Sequence, residues 1–287
     1  MHYADYKTIL SPQNGFNLYR GCTHGCIYCD SRSHCYQMNH QFEDIEVKRN
    51  AVQILEQQLR RKRRPCMIGT GSMTDPYLHL ENELQLTRQC LKLIDRYGFG
   101  LSILTKSSRI LRDIDILQSI NNKTKCVVQM TLTTFDDSLC KLIEPNVSVT
   151  SERLSVLKEM QRAGIPTIVW LCPILPFIND TEENLQNILN ACLDTDVKGI
   201  INFGFGVTLR DGNREYFFRK LDQHFPGLKQ KYIQSFGTQY VCSSPNENKL
   251  KTIFEEVCLQ HHIMHTPEEN FRFLRAFESK QEQLTLF

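Results

Sequence analysis

Short continuous apolar runs alternate with longer segments whose apolar positions recur every three to four residues, and this alternation covers most of the chain. Residues 66–72 (CMIGTGS), 99–107 (FGLSILTKS), 125–134 (KCVVQMTLTT), 165–174 (IPTIVWLCPI) and 197–207 (VKGIINFGFGV) predict strands. Between them, 42–64, 80–98, 109–120, 151–164 and 181–194 predict helices, the fourth closed by Gly164 and the last begun near Asp180 or Thr181. Strands apolar at consecutive positions, each followed by a helix, imply a parallel sheet covered by helices. With an initial strand around FNLYRG (16–21), the count reaches about six βα units. That is too few for a closed eightfold barrel and enough for an open one, an α/β, TIM-like partial (β/α)6 barrel.

Beyond Arg210 the strand signal fades, and 224–236, 248–262 and 267–280 predict helices. The expected organisation is a barrel over 1–208, a helical extension packed on it over 209–280, and a flexible tail over 281–287. No repeat and no low-complexity linker interrupts it.

Composition narrows the class. At 287 residues and 41% hydrophobic content the chain can bury a sizeable core, and 34 Lys plus Arg against 32 Asp plus Glu leaves any nucleic-acid surface to be local. The N-terminus lacks a signal-peptide layout and no apolar run reaches the roughly 20 residues of a membrane helix, so a cytoplasmic protein is expected. In that reducing compartment the twelve cysteines are not a disulfide framework. Cys66, Cys90, Cys126, Cys140, Cys172, Cys192, Cys242 and Cys258 are scattered singly, as small core residues are.

The other four crowd into GCTHGCIYCDSRSHC (21–35). Cys22, Cys26 and Cys29 form C-x3-C-x2-C beside Gly21 and Gly25, which let a loop wrap closely round a bulky group. Four thiolates normally hold a cubane iron-sulfur cluster, so three leave one iron open to a small molecule. The competing reading is a structural zinc site with Cys35 or His24 as fourth ligand, although the paired C-x2-C knuckles of such sites are absent.

NLYRGCTHGCIYC, GTGSMTDPYLHLE, LTKSSRILRDIDIL and AGIPTIVWLCPILPFIND, in that order over about 17–206, resemble the radical S-adenosylmethionine (SAM) proteins related to spore photoproduct lyase, often labelled DNA repair photolyases. The resemblance implies a radical SAM barrel in which Cys22, Cys26 and Cys29 hold a 4Fe-4S cluster. SAM chelates the fourth iron and is cleaved to methionine and a 5′-deoxyadenosyl radical. Cys35 falls outside the motif, and Tyr28 matches the aromatic position whose backbone meets the adenine. The second-strand loop lacks the Gly-Gly-Glu of many radical SAM enzymes; Ser72, Thr74 and Asp75 stand there, Thr74 matching a serine that serves the SAM amino group. The competing reading, less favoured than SAM binding, is a capped helix start in which Asp75 accepts backbone N–H groups ahead of Pro76. Lys106 resembles the lysine that pairs with the SAM carboxylate, and Thr131 and Thr133 resemble a hydroxyl position near the ribose.

The resemblance implies a DNA or nucleotide lesion as substrate and an electron donor such as flavodoxin or ferredoxin. Spore photoproduct lyase, however, returns a hydrogen through a cysteine where this chain has Met73, which argues against the lyase reaction itself unless Tyr77 or another thiol substitutes. Tyr240, Cys242 and Arg214 are candidates for lining the open barrel. An activity on RNA, a peptide or a metabolite is the alternative enzyme reading. Arg60 to Arg64 (RRKRR) could meet phosphates, but precede the second strand on the far face, where a solvated helix terminus accounts for them. Gln283, Leu284, Thr285, Leu286 and Phe287 resemble the peptide by which bacterial repair proteins dock on the sliding clamp, so a clamp-recruited repair adaptor with a structural metal site is the reading from another class.

Overall fold

The computed structural model describes residues 1–280; the clamp-like peptide at 283–287 lies outside them. Eleven strands form three sheets: β1 (His2–Ala4), β2 (Gly15–Phe16), β3 (Tyr19–Arg20), β4 (Glu46–Lys48), β5 (Met67–Thr70), β6 (Gly100–Thr105), β7 (Cys126–Thr131), β8 (Thr167–Trp170), β9 (Gly199–Ile201), β10 (Gly206–Thr208) and β11 (Val241–Ser243). The largest is six-stranded, parallel throughout, in the order β2-β5-β6-β7-β8-β9. This is the α/β partial barrel that the periodicity predicts. Its central strands, GLSILT and CVVQMT, are covered on both faces, which is why their apolar positions run consecutively instead of alternating.

The helices Ala51–Arg61, Leu86–Arg96, Ile114–Lys123, Thr150–Arg162 and Glu182–Asp194 cover the outside. The last starts where expected, its N-cap Thr181 accepting a hydrogen bond from the Asn184 N–H. Other boundaries differ. The segment 42–64 is not one helix: β4 occupies Glu46–Lys48, parallel to β1 and antiparallel to β3, and the helix begins at Ala51. Ile45 and Val47, both buried at a spacing of two, carry a strand period that the surrounding charges mask. The strand expected at 16–21 is divided between β2 and β3, in different sheets, and the helix expected at 80–98 is broken by Gln85 at φ 47°. A 3₁₀ stretch, Ser108–Asp113, precedes the helix at Ile114. The run 197–207 divides into β9 and β10.

The C-terminal segment contains a strand and a helix that were not expected, β11 and Asn213–His224. β11 pairs antiparallel with β10 and forms one wall above the barrel mouth. Helix Pro267–Arg275 packs Leu274, with Phe271 and Phe273 beside it, against Met67, Val127, Ile168 and Ile201 of the sheet's inner face. The extension thus fills the lower barrel. It ends at the N-terminal edge of the strands, where Lys280 N–H donates to Lys123 O at 2.9 Å and Lys125 pairs with Glu278 at 2.6 Å. Above this plug a polar chain crosses the interior: Gln129 donates to Ser102 Oγ at 2.7 Å and accepts from Trp170 Nε1 at 2.8 Å. No helix among the described residues is long and apolar enough to cross a membrane.

Candidate active site

The loop after β3 brings Cys22, Cys26 and Cys29 together on a pocket of about 150 Å³ at the C-terminal ends of the strands. His24 N–H donates to Cys22 Sγ at 3.4 Å, and Lys106 Nζ stands 3.8 Å from Cys26 Sγ. Burial, reinforced by the neighbouring thiols, pushes the Cys22 thiol up, and burial takes Cys26 to about 12. A bound metal would offset that burial and stabilise both as thiolates. Three convergent sulfurs, a backbone N–H aimed at one and an ammonium beside another suit an anionic iron-sulfur cluster. Cys35 is outside this group, exposed, with its sulfur 3.5 Å from Arg210 Nη1. His24 lines the pocket; its Nδ1 is 3.7 Å from Asp75 Oδ2 and its buried Nε2 has no hydrogen-bond partner among the described residues.

Tyr28, Ser72, Thr74, Asp75, Lys106 and Thr131 line the same pocket. Thr133 does not: its carbonyl accepts hydrogen bonds from Asn179 and Asn184, and its hydroxyl is buried beyond the pocket wall. Asp75 is largely a structural acceptor, taking Tyr77 N–H at 2.8 Å and Thr105 Oγ1 at 2.7 Å on one oxygen and Lys106 N–H at 2.7 Å on the other. It thus ties the second-strand loop to the end of β6. Gly71, at φ +98°, allows that loop to lie on β6, because a Cβ there would come 2.0 Å from Leu104 O.

Lys106 Nζ donates to Glu144 Oε1 at 2.7 Å and to Tyr28 Oη at 2.5 Å; the Tyr28 hydroxyl in turn bonds Glu144. The other Glu144 oxygen is held by Arg153, which also donates to Ser148 O at 2.7 Å and Thr131 O at 2.9 Å. Glu144 and Arg153 are fully buried. Burial alone would raise the Glu144 pKa, but Arg153 and Lys106 outweigh it and hold the carboxyl well below the usual carboxylate range. Two cations, Lys106 and Arg153, face the one Glu144 carboxylate, so Lys106, which lines the pocket, can meet a second carboxylate without leaving Glu144 unpaired. The sequence reading missed Glu144 and Arg153. Arg153 carried a signal: with Val156, Leu157 and Met160 it occupies the buried stripe of helix Thr150–Arg162, a charge where the period calls for an apolar residue.

A second, larger cavity of about 510 Å³ adjoins the first and shares Tyr28, Cys29, Ser31, Ser72, Met73 and Leu104 with it. Trp170, Cys172, Phe203, Val241, Ser243 and Glu247 complete its far wall. Of the C-terminal candidates, Tyr240, Cys242 and Arg214 are not on it. Residues alternate across β11, so Val241 and Ser243 face the cavity while Cys242 turns into the core. Arg214 instead donates to the carbonyls of Leu209, Thr238 and Gln239. Tyr77, considered as a hydrogen donor, is fully buried and bonded to Asp113 at 3.1 Å. Arg60 to Arg64 precede β5, on the opposite face.

Comparison with known proteins agrees with this construction. An uncharacterized protein of Mycobacterium tuberculosis is 29% identical over 226 residues, covering 77% of this chain, which spans 66% of that relative's length. An uncharacterized protein of Methanocaldococcus jannaschii is 33% identical over 212 residues, 73% of this chain and 75% of the relative. A structure of a cysteine-to-serine variant of spore photoproduct lyase superposes with a TM-score of 0.63 at 16% identity, covering 91% of this chain and 78% of that one. Another variant of that lyase, with bound AdoMet and dinucleoside spore photoproduct, gives 0.60 at 15% identity over 87% and 74%. At these identities the likeness is one of fold. The family model of the Radical SAM superfamily matches residues 16–191, and the chain belongs to that superfamily.

Proposed function

We propose that this protein acts on DNA or nucleotide damage by radical chemistry, with the lesion held in the 510 Å³ cavity. The observation that carries the reading is the continuity of the two cavities: six residues, among them Tyr28, Cys29 and Met73, face both, so a group in the larger one lies against the SAM pocket. The spore photoproduct lyase structures, one of which holds a dinucleoside lesion, supply the substrate class. A 4Fe-4S cluster held there would supply the electron for reductive cleavage of SAM, and so the radical that abstracts hydrogen.

The chain's residues divide the remaining work. Cys22, Cys26 and Cys29 hold the cluster. Ser72 and Thr74 serve the SAM amino group from the loop that Asp75 braces, Lys106 meets its carboxylate, and Tyr28 and Thr131 flank the nucleoside. Met73 has no S–H, but Cys172, on the wall of the same cavity, has one. Burial pushes its pKa up to about 12, so the thiol stays protonated at neutral pH and can give a hydrogen atom to a carbon radical. The resulting thiyl is reset by one electron and one proton from a donor of the flavodoxin or ferredoxin class. That chemistry and twelve unpaired cysteines suit the reducing cytoplasm. The peptide Gln283 to Phe287 would bring the enzyme to the sliding clamp, and its deletion should abolish clamp binding in a pull-down.

The test is anaerobic incubation of the reduced, SAM-bound protein with lesion-bearing oligonucleotides deuterated at the damaged base. Deuterium in 5′-deoxyadenosine supports the proposal. SAM cleavage with no transfer from any lesion would sink it.

A further inference from the structure

The larger cavity has chemistry of its own on the side away from the cluster loop. Phe203, in the β9–β10 connection, keeps 60% of its surface exposed yet is fixed: its ring stacks on Phe271 at 6.3 Å and meets Trp170 at 5.9 Å. Trp170 is itself pinned by Gln129. A large aromatic ring held rigidly in the open is a stacking platform.

Next to it stands a carboxylate. Glu247 begins helix Glu247–Gln260, and its side chain has no hydrogen-bond or ion-pair partner among the described residues. Gly204, at φ +108°, follows Phe203, and a Cβ on it would lie 3.2 Å from Glu247 Oε1, so ring and carboxylate occupy one corner. The cavity's other carboxylate, Asp30, is engaged by Tyr36 at 2.7 Å and Arg210 at 3.3 Å. Among the described residues no lysine or arginine lines the cavity. A phosphate inside would meet the unpaired Glu247 carboxylate with no lining cation to offset it, and a group offering only acceptors would leave Glu247 desolvated and unpaired.

We infer that Phe203 and Glu247 form a base-reading corner in which a planar heterocycle stacks on the Phe203 ring and gives two N–H donors from one edge to the Glu247 carboxylate. The inference rests on the nucleic-acid reading proposed above. Among the common bases the edge that fits is guanine's, whose N1–H and N2–H lie side by side. Adenine sets a ring nitrogen acceptor beside its amino group, and thymine flanks its one N–H with carbonyls; both acceptors would face the carboxylate. The sugar and phosphates remain at the mouth.

Trp170 is the chain's one tryptophan, so its fluorescence reports on this corner without turnover. The cluster-loaded, SAM-bound protein should be titrated with guanosine and with thymidine. Guanosine should quench Trp170 and bind about tenfold more tightly than thymidine, as a bidentate edge contact implies. Glu247→Gln should weaken guanosine about tenfold and leave thymidine unchanged, and Phe203→Ala should weaken both, each variant keeping wild-type iron content and far-UV circular dichroism. Guanosine binding to Glu247→Gln as to wild type, or equal binding of the two nucleosides, would overturn the assignment. That failure alongside deuterium transfer from lesion oligonucleotides would leave the proposed function standing. The expected titrations without transfer from any lesion would support the corner and remove the repair reading.

Discussion

Lys106 Nζ lies 2.7 Å from Glu144 Oε1, and the two join the end of β6 to the end of helix Asp137–Ile143. Burial pulls the Lys106 pKa down, but the negative charges of Cys26 as a thiolate and of Glu144 more than reverse this, so the ammonium stays charged beside the three cysteines. Glu144 is also held by Arg153, so Lys106 is the more exchangeable of its two cations: 18% of the lysine side chain is exposed, none of arginine's. Lys106 can turn to an incoming carboxylate while Arg153 keeps Glu144 neutralised.

Removing one member of this buried network strands the others. Glu144→Gln should cost about 3–5 kcal/mol in urea unfolding, because two buried cations lose their counter-charge. Arg153→Met should cost a similar amount, and the double variant less than the sum, since the second change removes a group already unpaired. Costs that simply add would show that the pair does not act as a unit.

The same carboxyl sets an acid limit. Its folded-state pKa is below the ordinary 4.5, so the unfolded chain binds its proton first as pH falls. The stabilisation is complete above pH 4.5 and is lost progressively below it, towards the folded value. Urea midpoints between pH 6 and 3 should therefore decline more steeply for the wild type than for Glu144→Gln. Parallel declines would contradict the assignment.

Lys106→Met keeps the Glu144–Arg153 pair and removes the exchangeable cation. SAM affinity, read by equilibrium dialysis on the iron-loaded protein, should fall by roughly 10- to 100-fold, the range for a hydrogen bond to a charged group. Iron content should not change. Unaltered affinity would show that the lysine serves Glu144 alone.

How much of this was legible in the sequence follows from how local each feature is. The parallel sheet was readable because strands covered on both faces, such as CVVQMT, are buried at every position and carry consecutive apolar residues. The cysteine loop was readable because Cys22, Cys26 and Cys29, which the fold brings to one pocket, fall within eight residues. Glu144 was not, because its partners Tyr28 and Lys106 are 116 and 38 residues away and only the fold assembles them. Glu247 and Phe203 were hidden likewise: nothing in NFGFG or PNENK shows that a glycine at φ +108° sets one against the other. Thr133 was misplaced because a β-branched residue past a strand's end looks the same whether it faces the pocket or the core.

Cys22→Ala, Cys26→Ala and Cys29→Ala should each abolish the brown cluster of about four irons per chain and, with it, SAM cleavage. Cys35→Ala should retain both, since its exposed sulfur contacts Arg210 and lies outside the pocket of the other three. Iron and sulfide analysis of anaerobically purified variants decides the matter. Loss of iron in Cys35→Ala would make it a fourth ligand, and a colourless protein holding one zinc would favour a structural site.

Cys172 and Met73 face the same cavity from different strands' ends, and one of them carries an S–H. If Cys172 returns the hydrogen, Cys172→Ala should leave substrate radicals unquenched, and product formed per 5′-deoxyadenosine should fall several-fold. Met73→Cys in that background should restore the ratio, because it puts a thiol back on the shared wall between the two cavities. The ratio separates hydrogen return from substrate binding, since a binding defect lowers product and deoxyadenosine together. An unchanged ratio in Cys172→Ala would exclude this thiol and direct attention to the tyrosine hydroxyls of the cavity, Tyr28, held by Lys106 and Glu144, and Tyr36, bonded to Asp30.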